Sequence, residues 1–476
     1  MSHRAETARS GDWGKKLIGL LFFVPLAAIL ATAVTGTNQY LLLMVIAAIL
    51  FMAILTDFKV SLVFIGLGSY FLSYAIWMFG LPGPLINLPY LLIIMVLLRE
   101  YFFTANMLPV RTPVNYLLLA LIALGLLSML HGNSALYPSV KGLLRHVGFP
   151  LLFILILLAE PDEKLMRRLV LAVIVVAFIQ VLASAAQFTW YSTIALKDWG
   201  TRADLSGGLL GPNCGGYTSV LMNMMACLLM GFLMIYGTRW YLLLGIFLTL
   251  LPIYLASARA GVPMFALAAL FMLIVAPLRK HGSWAKRLSI ALLVLALLMA
   301  AAFSGIGGES FKALLNPSYL YDYSIKQSDS GLGRLQAFGV VKTELGGLVE
   351  RAIGLGPGAL TPTSIVENPN SLLAQNPMLF HGVTGYAYTT MEIGFAGLIL
   401  FLLIYARVYG FNRRFLKSIE DPFWEAVSLG FSGVVFIYVI STVYVDSWIY
   451  YPLPFTFWAL AAAIYRVGAL RGILRV

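Results

Sequence analysis

The chain has 476 residues, of which 61% are hydrophobic and 11% charged, and its formal net charge is +12. Soluble domains carry about 25% charged residues, so this chain cannot cover itself with polar surface, which excludes an ordinary soluble domain. Its basic residues stand in short clusters between apolar blocks and form no continuous stripe, which argues against a nucleic-acid partner and marks them as topology signals.

In chain order, residues 1–16 are polar and basic, and the apolar run that follows lacks a small-residue cleavage site, so it reads as a first span and not as a signal peptide. A helix rises about 1.5 Å per residue, and blocks of this kind are long enough to cross a hydrocarbon layer of ~30 Å. They recur near 17–35, 38–56, 60–79, 82–98, 114–130, 139–159, 166–187, 215–236, 240–257, 261–278, 287–305, 385–406, 424–445 and 450–466. The pattern predicts an all-α polytopic integral membrane protein of about 14 (12–14) transmembrane helices. Eleven helices fall in 17–305, a long extracytoplasmic loop in 306–384, three more helices in 385–466, and a cytoplasmic C-terminal piece in 467–476. With both termini in the cytoplasm, 22 of the 32 Lys and Arg residues lie on the inner side and 10 on the outer, in keeping with the positive-inside rule.

Five of the outer basic residues, Lys312, Lys326, Arg334, Lys342 and Arg351, belong to the long loop, and Leu335 to Val349 has apolar residues at helical spacing broken by three glycines. A folded cap on the outer surface is expected. Only two cysteines occur, Cys214 and Cys227, which suits packing and supplies neither a disulfide framework nor a metal cluster. The short outer loops offer Asp198, Asp204 and Asp446 with no close acidic pair, so no metal and no cofactor is expected.

Lys141 and Arg145 are poorly placed for a purely structural role. Between Val147 and the acidic turn Glu160 to Glu163 stand 13 residues, roughly 20 Å of helix and too short to span. The helix must therefore start near Ser139, which carries Lys141, Arg145 and His146 one or two turns below the outer surface, with Lys141 and Arg145 on one face. An Arg within a membrane costs about 2.5 to 3.5 kcal/mol on insertion scales unless it meets a partner or a wet cavity. Two readings stand: snorkelling to the headgroups, or an anion-binding cavity.

Further along, Ser257-Ala258-Arg259-Ala260-Gly261 forms a tight outer turn, and the long loop carries Gly331-Leu332-Gly333-Arg334 and Gly354-Leu355-Gly356-Pro357-Gly358. His381-Gly382 closes the loop, and Glu392 follows two turns into the next span. A glycine run can cradle phosphate with backbone N–H groups or be a chain of turns. This one lacks the Lys-Ser/Thr ending of a nucleotide loop.

The order of these motifs resembles the O-antigen ligase and polymerase superfamily. The likeness runs over about 200 to 465: Ser-Ala-Arg at an outer turn, Gly-Arg with an aromatic four residues on (Arg334, Phe338), Gly-Leu-Gly-Pro-Gly, a loop-end His, and Glu-x-Gly-x-x-Gly (Glu392, Gly394, Gly397). Two positions depart from the pattern, where His-Asn is His381-Gly382 and a Trp is Phe338.

The resemblance implies a metal-independent glycosyltransferase of the bacterial inner membrane, with its active site on the periplasmic face. Its donor would be a polyprenyl (undecaprenyl)-diphosphate-linked oligosaccharide and its acceptor a saccharide hydroxyl, with other polysaccharide-assembly proteins as potential partners. Arg259, Arg334 and His381 correspond to the functional residues of the ligases. As the glycosidic bond breaks, negative charge grows on the diphosphate and a cation must meet it; arginine does so bidentately. Arg259 and Arg334 are therefore the expected diphosphate ligands, Arg145 and Lys141 secondary members of that positive cavity, and His381 the base that accepts the hydroxyl proton. Glu392 could orient His381, pair with an arginine, or serve as a buried structural partner. Polymerisation of an O-antigen or exopolysaccharide is preferred. The alternatives are an O-antigen ligase acting on lipid A core and, from another class, a lipid-linked oligosaccharide flippase or transporter.

Overall fold

The structure is a computed structural model that describes residues 57–81, 83–103, 112–132, 134–198, 206–211, 214–237, 239–256, 260–276, 318, 336–361, 372–375, 383–448 and 450–473. Among these residues there is no β-strand. The helices are α1 (Phe58–Phe79), α2 (Leu88–Phe103), α3 (Pro113–His131), α4 (Leu136–Ala159), α5 (Glu163–Asp198), α6 (Gly215–Tyr236), α7 (Trp240–Leu255) and α8 (Gly261–Val275). The short α9 (Gln336–Glu344), α10 (Leu348–Ile353) and α11 (Leu372–Gln375) follow, and then α12 (Gly385–Ser418), α13 (Pro422–Tyr444) and α14 (Pro452–Leu470).

Nine helices among the described residues are long and apolar enough to cross a bilayer, with α7 and α8 shorter at 16 and 15 residues. These are the marks of a multi-pass α-helical membrane protein. Eleven of the expected spans coincide with α1 to α8 and α12 to α14, while 17–35, 38–56 and 287–305 lie outside the described residues. The outward faces agree with a lipid environment: Leu67, Leu119, Leu126, Val175, Leu182, Leu270, Ile274 and Ile399 are all exposed, an apolar surface that water would not tolerate.

The centre of the bundle is α6, α13 and α14. Within their most apolar windows, α6 and α14 are 89% buried, whereas α1 on the periphery is 22% buried. Small residues let α6 and α13 touch backbone to backbone: a Cβ on Gly231 would stand 2.6 Å from the Gly430 nitrogen, and one on Gly430 would stand 2.7 Å from the Leu228 Cα. Lipid supplies little hydrophobic drive between helices, so such close approach is what holds a membrane bundle. Helix starts are fixed by side chains, with Asp421 accepting from the N–H groups of Phe423 (3.0 Å) and Trp424 (3.3 Å) just after the turn into α13.

Among the described residues, non-helical backbone is buried at several places, where its polar groups need partners inside the protein, and two of them bear on the site. At the first, residues 206–211 run between α5 and α6, and two glutamines of α5 satisfy them. Gln180 accepts from Leu209 N–H (2.7 Å) and donates to Gly207 O (2.9 Å), while Gln187 accepts from Gly208 N–H (2.6 Å) and donates to Gly208 O (2.7 Å). The second place is a break within α12.

Candidate functional site

Helix α12 loses helical geometry at Ile393 (φ −127°) and Gly394 (φ 72°), which leaves backbone groups in need of partners. The glycine run supplies them. Leu355 N–H donates to Met391 O (2.8 Å), Gly356 N–H to Glu392 O (3.1 Å), and the Ser128 hydroxyl of α3 adds a third bond to Glu392 O (2.9 Å). Gly394 needs its glycine twice over, because its φ is left-handed and a Cβ would sit 2.2 Å from Ala352 O.

The run itself is wedged between three helices, each offering a glycine where it passes. A Cβ on Gly132 at the end of α3 would meet Leu355 O at 2.7 Å, and one on Gly142 of α4 would meet Gly358 N at 2.3 Å. Together with Gly394 of α12, these positions explain why a bulkier chain could not enter. The short helices before the run share this anchorage, since Ala337 and Val341 of α9 form one buried cluster with Ala387, Tyr388 and Met391 of α12. The helical stretch expected at 335–349 is thus two helices, α9 and α10, broken at 345–347, where two of its three glycines fall.

Glu392 lies at the centre with no exposed surface. Its Oε1 accepts from Gly358 N–H (3.0 Å), Leu360 N–H (3.0 Å) and the Thr361 hydroxyl (3.1 Å), and its Oε2 faces His146 Nε2 at 3.0 Å. The loop therefore cradles a carboxylate of the protein, and no phosphate. Every N–H from Gly354 to Thr361, Pro357 having none, already has a protein acceptor. The phosphate-cradle reading of this run is thereby ruled out for the conformation seen.

Arg145, on the same helix as His146, donates from Nη1 to the Tyr388 hydroxyl at 2.9 Å, and Tyr388 lies 2.7 Å from the Thr361 hydroxyl. An arginine can only donate, and Thr361 spends its hydrogen on Glu392, so the hydrogen of Tyr388 points to Thr361. The result is a directional chain, Arg145 to Tyr388 to Thr361 to Glu392, which fixes the guanidinium at one nitrogen. Arg145 remains partly exposed, and Lys141, one turn earlier on the same face, is also partly exposed. Both lie within the membrane-length helix, which starts at Leu136, three residues before the expected Ser139. The carboxylates that act on the Arg145 charge are Glu392 and Asp446.

No protein-family model and no curated protein matches this chain. The geometry has to carry the reading. Of the six residues singled out from the sequence, Arg145, Lys141 and Glu392 gather around the glycine run, while His381, Arg334 and Arg259 lie outside the described residues. The described residues nearest in sequence to His381 and Arg259 pack near one another. Gly385 packs against Val445 and Trp448, Gly261 against Ser219 of α6, and Gly216 of α6 against Tyr444 and Val445. Among the described residues no group of three or more His, Cys, Asp and Glu side chains converges as a metal site would.

Sequence reasoning missed three members of the network. His146 was noticed only as a neighbour of Arg145, and its pairing with Glu392, 246 positions away, has no local signal. Tyr388 and Thr361 belong to none of the motifs singled out from the sequence. The available clue was spacing: Gly142 and His146 are one turn apart, so a helix face that admits the loop also presents a partner for its carboxylate.

Proposed function

We propose that the protein transfers an oligosaccharide from a polyprenyl diphosphate to a saccharide hydroxyl on the exoplasmic face of the membrane, polymerising the repeat units of a surface polysaccharide. One observation carries this reading. Two cations one turn apart, Lys141 and Arg145, stand inside a membrane helix, and among the described residues the guanidinium is held in position by a hydroxyl relay and not by a direct carboxylate contact. Arginine has five N–H donors and Tyr388 takes one, so the fork is oriented and still has donors for phosphate oxygens.

In this reading Arg145 and Lys141 draw the diphosphate to the mouth of the bundle, and Arg259 and Arg334 complete its cage. Negative charge that grows on the diphosphate as the anomeric C–O bond breaks is met by these fixed cations. The electron pair of that bond leaves with the diphosphate. His381 takes the proton from the acceptor hydroxyl as its oxygen bonds the anomeric carbon. Glu392 does not touch substrate; it holds the loop and, through Thr361 and Tyr388, the Arg145 side chain.

The test is to incubate the purified protein with a polyprenyl-diphosphate oligosaccharide and separate the products on a gel. A ladder is expected and should persist in EDTA. A single transfer to lipid A core would replace the polymerase by a ligase, and passage of the lipid across vesicles without any new product would replace both by a flippase.

A further inference from the structure

The glycine run has a second face. Residues Leu355 and Ala359 of the run line a cavity of about 150 Å³ with His131 at the end of α3, Ser134 beyond it, Glu350 of α10 and Leu372 of α11. That space is large enough for several waters or one pyranose ring. The lining suits such a ring. Leu355 and Leu372 offer apolar surface for its C–H faces, while the imidazole, the hydroxyl and the carboxylate offer donors and acceptors for its hydroxyl edge.

Charge sets the cavity apart from the cation pair. Among the described residues neither Lys nor Arg lines it, and the carboxylate of Glu350 would repel a phosphate. Glu350 Oε2 accepts the Gly347 N–H at 2.9 Å, which fixes the side chain. Gly358, next to Ala359, abuts Gly142 of α4, the helix that carries Lys141 and Arg145. The glycine run thus lies between a helix whose cations suit an anion and a polar cavity that suits hydroxyls.

We propose that this cavity binds one uncharged sugar residue of the acceptor chain, with Glu350 and His131 holding its hydroxyls. The proposal rests on the glycosyl-transfer reading above and adds where the acceptor is gripped. Uronic sugars are rejected by Glu350.

Saturation-transfer NMR on the full chain in lipid nanodiscs tests it, using methyl glycosides of glucose, galactose, rhamnose and N-acetylglucosamine, with methyl glucuronide as the charged control. At least one neutral glycoside should receive saturation and the glucuronide should not. Ala359→Trp fills the cavity and should remove the signal. Because Ala359 is buried, Glu350→Gln and His131→Ala serve as variants that leave packing intact; Gln still accepts from Gly347. Each should weaken binding about threefold to tenfold. No signal from any neutral glycoside in the wild type, or equal signals in all variants, overturns the subsite. A wild-type polymer ladder with unaltered glycoside binding in the variants would sink the subsite alone. Glycoside binding that the variants lose, in a protein that makes no glycosidic product, would leave the subsite standing and remove the transferase reading.

Discussion

At the Glu160 end of α4, charges are paired with one another. Glu163 of α5 accepts from Arg167 (3.0 Å), Arg471 (2.8 Å) and the Trp424 indole (2.9 Å), and Asp421 closes the group by meeting the same two arginines. Arg466 of α14 donates to Pro161 O (2.9 Å) and Glu160 O (2.8 Å). Two carboxylates face two guanidiniums, and the hydrogen bonds that Arg471 donates to Glu163 raise its pKa further above the usual value. Fifteen residues away along α4, roughly 22 Å, the arrangement is reversed. Glu392 is occupied by two backbone N–H groups, a hydroxyl and an imidazole, and among the described residues Arg145 is hydrogen-bonded to it through Tyr388 and Thr361. A closed ion group ties helices together. An oriented cation with donors to spare is the kind that waits for an anion.

The comparison can be broken most directly at Arg145. Arg145→Ala should lower the polymer ladder by about 100-fold or more, the scale seen when one fixed donor to a developing charge is removed. Thermal stability should stay within a few degrees of wild type, because a single hydrogen bond to Tyr388 is lost. A ladder at wild-type intensity would strip Arg145 of its role.

Next in size is the break in α12. Gly394→Ala places a Cβ against Ala352 O and imposes a left-handed φ on an L residue, a strain of about 1–3 kcal/mol before the clash is counted. The loop should undock from Glu392, with the ladder falling roughly tenfold. Hydrogen exchange should rise at residues 355–361 and leave α6 and α13 as protected as before. Unchanged exchange would mean that the glycine is a packing convenience.

That break also marks what local pattern could and could not reveal. Apolar block length located α6 at its residues, because a buried helix needs no information beyond its own hydrophobicity. Helix α12 was expected to end near 406 and runs to Ser418, since Val408, Phe411, Asn412 and Phe415 continue a buried face into a stretch whose arginines suggested a loop. The site was half legible. Arg145 and Lys141 were visible as charges at a depth where charge is costly, and Glu392 as an acid two turns into a span. The pairing with His146 and the docking of Gly358 on Gly142 depend on contacts between distant segments, and a single sequence has no period or motif that encodes them.

A smaller effect should follow from the relay. Thr361→Val removes the hydroxyl between Tyr388 and Glu392 at nearly constant volume. Arg145 then keeps its charge and loses its fixed aim, so the donor KM should rise about threefold to fivefold while kcat changes less. Thr361→Ser should restore the wild-type value, which a purely packing role for Thr361 would not require.

The smallest effect on turnover is expected at the closed group. Arg471 is about one-third exposed, with its side chain at 34%, and ion pairs so open to solvent contribute roughly 0.2–1 kcal/mol each. Arg471→Ala should therefore lower the melting midpoint by about 1–3 °C and leave the ladder within twofold of wild type. Arg167 still bridges Glu163 and Asp421 in that variant, so α5 and α13 remain joined. The contrast with Arg145→Ala is what makes the pair of measurements decisive. Should Arg471→Ala abolish the ladder while Arg145→Ala does not, the distinction between structural and functional cations drawn from their partners would be inverted, and the proposed substrate site would have to be sought at the Glu160 end.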